Sequence, residues 1–96
     1  MPPPRISPAA QQDIDEIYLY GVLTYGPAQA DSYTDGLRKA VLLIAEHPFA
    51  GRERDEVRPP IRLWHHEAHH LFYDLIDGTV VVQRVLHHSA DWTELF

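Results

Sequence analysis

The sequence contains no cysteine and a single lysine, Lys39. The missing cysteines exclude a disulfide framework and a cysteine-ligated zinc site as sources of stability, and they fit a reducing compartment. No apolar run approaches the roughly 20 residues that cross a bilayer, and the three prolines after Met1 precede no apolar stretch of signal-peptide length. The expectation is a soluble, cytoplasmic protein with no membrane contact. Positive charge is scarce: eight Lys and Arg face fourteen Asp and Glu, for a formal charge of −6 with neutral histidines. That balance works against a general grip on a polyanion, so unspecific nucleic-acid binding is disfavoured unless the basic groups converge locally. No sequence-specific DNA binding by this chain alone is expected either. No glycine-rich phosphate loop, serine elbow or paired-carboxylate motif is present, and no cofactor is expected.

What remains is the composition of a folded chain, 45% hydrophobic and 10% aromatic over 96 residues. This length supports one domain, 1–96, able to bury roughly 60–65% of the surface of its unfolded chain. Met1 to Pro4 is expected to be a flexible or extended arm, and Arg5-Ile6 can add a short strand to a sheet. Ser7-Pro8 starts a helix: the serine caps free N–H groups and the proline stands where its missing N–H costs nothing. Ile14, Ile17, Tyr18 and Gly21 form its apolar stripe, with Gln11, Gln12, Asp13, Asp15 and Glu16 expected on a solvated face. Gly26-Pro27 breaks this helix and starts a second, whose stripe is Tyr33, Leu37, Ala40, Val41 and Ile44. Pro48 ends that helix near His47.

From Phe49 to Pro60 the sequence reads as polar and turn-rich. The period then shortens to that of strands over Ile61–His65, Leu71–Ile76 and Thr79–Leu86. Asp77-Gly78 is a two-residue hairpin signal. In the last strand, strict alternation places Val80, Val82, Arg84 and Leu86 on one face and Val81, Gln83, Val85 and His87 on the other. Trp92, Leu95 and Phe96 are expected to dock on the sheet or its edge. The fold class is therefore α+β, an N-terminal helical hairpin packed on a small antiparallel β-sheet.

Two histidine groups carry potential chemistry. His66, Glu67 and His70 have the HExxH spacing of zinc peptidases, which requires both histidines on one face of a helix. Strand formers on both sides put this segment in a hairpin instead, with His66 and His69 opposed across it and able to bind an adventitious ion. No catalytic or structural metal site is assigned. The second group is Arg84, His87 and His88, to which folding can bring Arg62 and the Arg52, Arg54 and Arg58 segment. Arginine holds phosphate and histidine moves protons near neutrality, so metal-independent RNA cleavage is chemically imaginable there. Cooperation between Arg84 and His87 needs a bulge or a strand end just after Leu86.

The order of several short motifs resembles the ParE-type toxins of bacterial toxin–antitoxin modules, within the wider RelE/ParE superfamily. These are Ile6-Ser7-Pro8-Ala9-Ala10 leading to Asp13-Ile14, Tyr25-Gly26 before Gln29-Ala30 and Tyr33, and His47-Pro48 with Gly51-Arg52. They continue through Ile61-Arg62 and His70-Leu71-Phe72-Tyr73 to Arg84-Val85-Leu86-His87-His88 and Asp91-Trp92. The resemblance implies the RelE/ParE-like fold, a ParD-like cognate antitoxin that wraps the toxin, and poisoning of DNA gyrase without catalysis. Arg62, Arg84, His87 and His88 become candidate target contacts, with Trp92 in support. The alternatives are a RelE-like mRNA endoribonuclease using Arg62, Arg84, His87 and His88, or a low-toxicity antitoxin-binding member with another target. The single lysine and the lack of any tyrosine after Tyr73 depart from the ribonuclease branch.

Overall fold

Ser7 sets the entry to the first helix in the computed structural model, which describes residues 2–96. Its hydroxyl accepts the Ala10 N–H at 3.0 Å and donates to the Gln83 carbonyl at 2.8 Å, so one side chain both caps the helix and ties it to the sheet. Helix α1 runs Pro8–Tyr25 and helix α2 runs Pro27–Glu46. Gly26, at φ 96°, makes the turn between them, a backbone conformation that side chains with a Cβ rarely adopt. The helices approach closely where Gly21 meets Ala30: a Cβ on Gly21 would lie 3.2 Å from the Ala30 Cβ. Met1 of the expected arm lies outside the described residues, and Pro2–Pro4 has no regular secondary structure.

Among the described residues five strands form one sheet: β1 (Arg5–Ile6), β2 (Arg52–Arg54), β3 (Ile61–His66), β4 (His69–Ile76) and β5 (Thr79–His87), in the order β1-β5-β4-β3-β2. All neighbours are antiparallel except β1, which lies parallel to β5 at Val81 and Val82. The Arg52–Arg54 strand falls in the segment read as turn-rich. Its three residues are charged and two are exposed, so it shows none of the apolar alternation by which strands are recognised.

The sheet separates two apolar clusters. On the helical side Leu37, Val41 and Ile44 of α2 and Ala10 and Ile14 of α1 pack on Leu71, Tyr73, Val80, Val82 and Val85. Each fully buried Leu, Ile or Val contributes roughly 1.5–3 kcal/mol. On the other side Val57, Ile61 and Phe72 are covered by Leu63, Leu86 and Trp92. The expected docking of the C-terminal segment is seen here, with the Trp92 and Phe96 rings 5.1 and 5.2 Å from that of Phe72.

Strict alternation fails once along β5. Phe72 pairs with Arg84 and Tyr73 with Val82, leaving Gln83 as an extra residue. This bulge moves Val85 to the helical side with Val80 and Val82, while Leu86 joins the opposite cluster. The expected partition of β5 into two faces is thus correct up to Val82 and reversed after Gln83.

Candidate functional site

A groove of about 820 Å³ opens between the C-terminal half of α1, the start of α2 and the end of β5. Tyr20, Tyr25, Ala30 and Tyr33 give it apolar walls, and Asp13, Glu16, Glu67, His69, Arg84 and His87 give it polar ones. β1 covers β5 only at Val81 and Val82, so among the described residues the edge of β5 beyond Gln83 has no neighbouring strand. Along that edge the Val85 N–H donates to Asp13 Oδ2 at 2.9 Å.

Asp13 also accepts from the Arg84 guanidinium through both oxygens, at 2.7 and 2.9 Å. The expected solvated position of Asp13 is therefore incorrect: it is buried, and it lies on the stripe with Ala10, Ile14 and Ile17 that faces the sheet. Its burial is satisfied by three charge-assisted or backbone hydrogen bonds, as a buried carboxylate requires. The pairing with Asp13 raises the Arg84 pKa further above its ordinary value. Arg84 thus serves the joint between α1 and β5, and its guanidinium faces a carboxylate of this same chain.

The other candidates are dispersed. The Arg62 guanidinium donates to the Gly51 carbonyl at 2.7 Å and lies 4.9 Å above the Phe49 ring, away from the groove. Trp92 stacks on the opposite side of the sheet, beneath the Arg54 guanidinium. His87 lines the groove, and its ring lies 4.4 Å from that of His88. The structure brings Arg84 and His87 to one groove but does not bring Arg62 or Trp92 to it.

The hairpin between β3 and β4 turns at Glu67-Ala68, with Glu67 at φ 49°. It pairs His66 with His69 and His65 with His70, so His66 and His70 point to opposite faces. The zinc-peptidase geometry, which needs those two on one face, is absent. On the helical side Tyr33 Oη and His69 Nδ1 are 2.6 Å apart, and the His69 and His87 rings are separated by 5.7 Å. Burial, followed by the charges of His87, His66, His88 and His70, pushes His69 down to about 4. Burial likewise raises the Tyr33 pKa above its usual value. At neutral pH both groups are uncharged, so they form a hydrogen-bonded wall. Among the described residues His66 Nε2 is buried without a hydrogen bond, and Glu67 Oε2 lies 3.4 Å away.

Sequence reasoning missed Tyr33, His69 and Asp13 as members of this site. Tyr33 and His69 come from a helix and a strand 36 positions apart, and only the tertiary fold joins them.

Residues 5–92 match the family model described as the ParE toxin of the type II toxin–antitoxin system, parDE. The chain is 39% identical over 87 residues to Toxin ParE1 of Mycobacterium tuberculosis strain H37Rv, covering 90% of this chain and 89% of that protein. It is 35% identical over 91 residues to Toxin ParE1 of Caulobacter vibrioides, covering 95% and 94%. A solved structure described as the chromosomal ParDE TA system from P. aeruginosa superposes with a TM-score of 0.76 at 20% identity. It covers 86% of this chain and 91% of that one, a likeness of fold. Among the described residues no helix is long and apolar enough to cross a membrane.

Proposed function

Because the chain belongs to the ParE toxin family of type II toxin–antitoxin systems, we propose that residues 1–96 act as one toxin domain that inhibits DNA gyrase. A ParD-like antitoxin neutralises it. The match across residues 5–92 carries this reading.

The groove supports the antitoxin part. It joins exposed aromatic side chains, Tyr20 and Tyr25, to a strand edge with no neighbour among the described residues, which suits an extended segment that pairs with β5 and lays apolar side chains between the helices. The pairing of Arg84 with Asp13 supports a non-enzymatic toxin over a ribonuclease. A phosphate-cleaving centre needs free cationic groups at one point, and here the guanidinium in the groove is neutralised while Arg62 lies elsewhere. In this reading Arg62, His87, His88 and Trp92 contact the target, and Arg84 shapes the groove through Asp13.

The test is induced expression with and without the partner gene, reading DNA supercoiling and mRNA integrity in the same culture. Purified toxin is then added to gyrase. The expected results are growth arrest, lost supercoiling activity and DNA damage, all relieved by the partner. Unchanged gyrase activity together with cleavage of translated mRNA would transfer the assignment to the ribonuclease branch.

A further inference from the structure

Six of the seven histidines gather at one end of the sheet, and the strand register sorts them between its two faces. On the helical side His69 Nδ1 is engaged by Tyr33, and His87 Nδ1 by Ser89 at 2.6 Å. The opposite face differs. His65 and His70 are direct cross-strand partners on β3 and β4, with ring centroids 5.1 Å apart and planes at 68°. Neither ring enters a hydrogen bond among the described residues, and the His88 ring stands 6.5 Å from that of His65.

We propose that His65 and His70 form a cross-strand clamp for a divalent transition-metal ion such as zinc, nickel or copper, with His88 as an auxiliary donor. The geometry suits the chemistry. Two imidazoles sharing one tetrahedral ion at metal–nitrogen distances of about 2.0–2.1 Å place their ring centroids roughly 5 Å apart. Imidazole is a favoured donor for all three ions. Donors on paired strands are already held together by the backbone ladder, so binding orders only the two rings.

No three His, Asp or Glu groups among the described residues converge on one point, so the clamp begins with two protein donors and leaves positions open. Rotation of His88 fills one of these, and water fills the rest. The groups facing the pair fit this role. Burial, then the charges of His65 and His88, hold the His70 pKa below its ordinary value. The nearby Arg54 guanidinium is paired with Glu56, which offsets its repulsion of a cation. This clamp lies on the face away from the helices and groove, and it stands whatever the target of the protein.

The test uses the full chain without an affinity tag, titrated with zinc, nickel or copper chloride at pH 7.5 by calorimetry and followed by imidazole NMR. One ion is expected to bind per chain, with the His65 and His70 ring signals moving first and the melting temperature rising with metal concentration. His65→Ala, at an exposed position, weakens binding at least roughly tenfold, His70→Ala does the same, and His88→Ala has a smaller effect. His47→Ala, at the distant end of α2, leaves binding unchanged. Binding only at millimolar metal, or an affinity that survives His65→Ala, or losses shared equally by His47→Ala, would overturn the proposal.

Discussion

Replacing Asp13 by alanine tests the joint on which the groove is built. The substitution removes three hydrogen bonds at once: two from Arg84 and one from the Val85 N–H. The Val85 N–H is buried, and leaving it unpaired costs about 1–3 kcal/mol. The lost charge-assisted pair is worth about 1.5–3 kcal/mol when fully desolvated. Here the Arg84 side chain is 29% exposed and can recover hydration, whereas that of Asp13 is only 9% exposed, so the lower part of that range applies. Together these give a loss of about 2–4 kcal/mol, which lowers the melting temperature by roughly 10–20 °C in a domain of this size. Asp13→Asn keeps an acceptor for Val85 while removing the charge, and should lose about half as much. Urea unfolding of Asp13→Ala, Arg84→Ala and the double variant closes a cycle with an expected coupling of about 1–2 kcal/mol. A loss below about 0.5 kcal/mol for Asp13→Ala, or strict additivity of the two single variants, would refute the reasoning.

Gly51→Ala places a Cβ 2.5 Å from the hydroxyl of Tyr73, whose ring is wholly buried, and should destabilise by more than about 2 kcal/mol in urea unfolding. Tyr73→Phe leaves the Gly51 N–H and the Pro48 carbonyl without their 2.8 Å partner and should cost about 1–3 kcal/mol by the same assay. Ser7→Ala removes both the helix cap and the bond to Gln83, lowering stability by about 1–2 kcal/mol while the far-ultraviolet circular dichroism stays near that of the parent. His69 has a folded pKa depressed from 6.5 to about 4, so the unfolded chain binds more protons between these values. The contribution of neutral His69 is complete above pH 6.5 and is lost as pH falls toward 4. His69→Gln should flatten that part of a stability-versus-pH curve, and an unchanged slope would contradict the assignment.

The helical hairpin was legible because its boundaries are written in residues with one local meaning: Ser7-Pro8, Gly26-Pro27 and Pro48. The same holds for the Asp77-Gly78 turn, where φ is positive at both residues. Asp13 was misread because polarity was weighed before position. Ala10, Asp13, Ile14 and Ile17 stand at i, i+3, i+4 and i+7, and a carboxylate inside such a stripe signals a buried partner across the fold. β2 was missed for the converse reason, since Arg52-Glu53-Arg54 pairs through its backbone and offers no apolar pattern. Arg84 and His87 line one groove although the bulge at Gln83 precedes both, because the pair with Asp13 holds the Arg84 guanidinium beside α1. That bulge depends on pairing with β4, information that is not local to β5. Folding was expected to bring Arg62 to them, with Trp92 in support, but the sheet carries both to other surfaces.

The extra residue at Gln83 means that β5 is written in two frames, one read by each half of the strand. Deleting it would set Arg84 directly after Val82 and run the two frames as one regular ladder, with Val85 and Leu86 still on the sides they occupy now. A deletion library should therefore keep the variant shortened at Gln83 and lose the one shortened at Val85, where the missing residue turns Leu86 to the helical side.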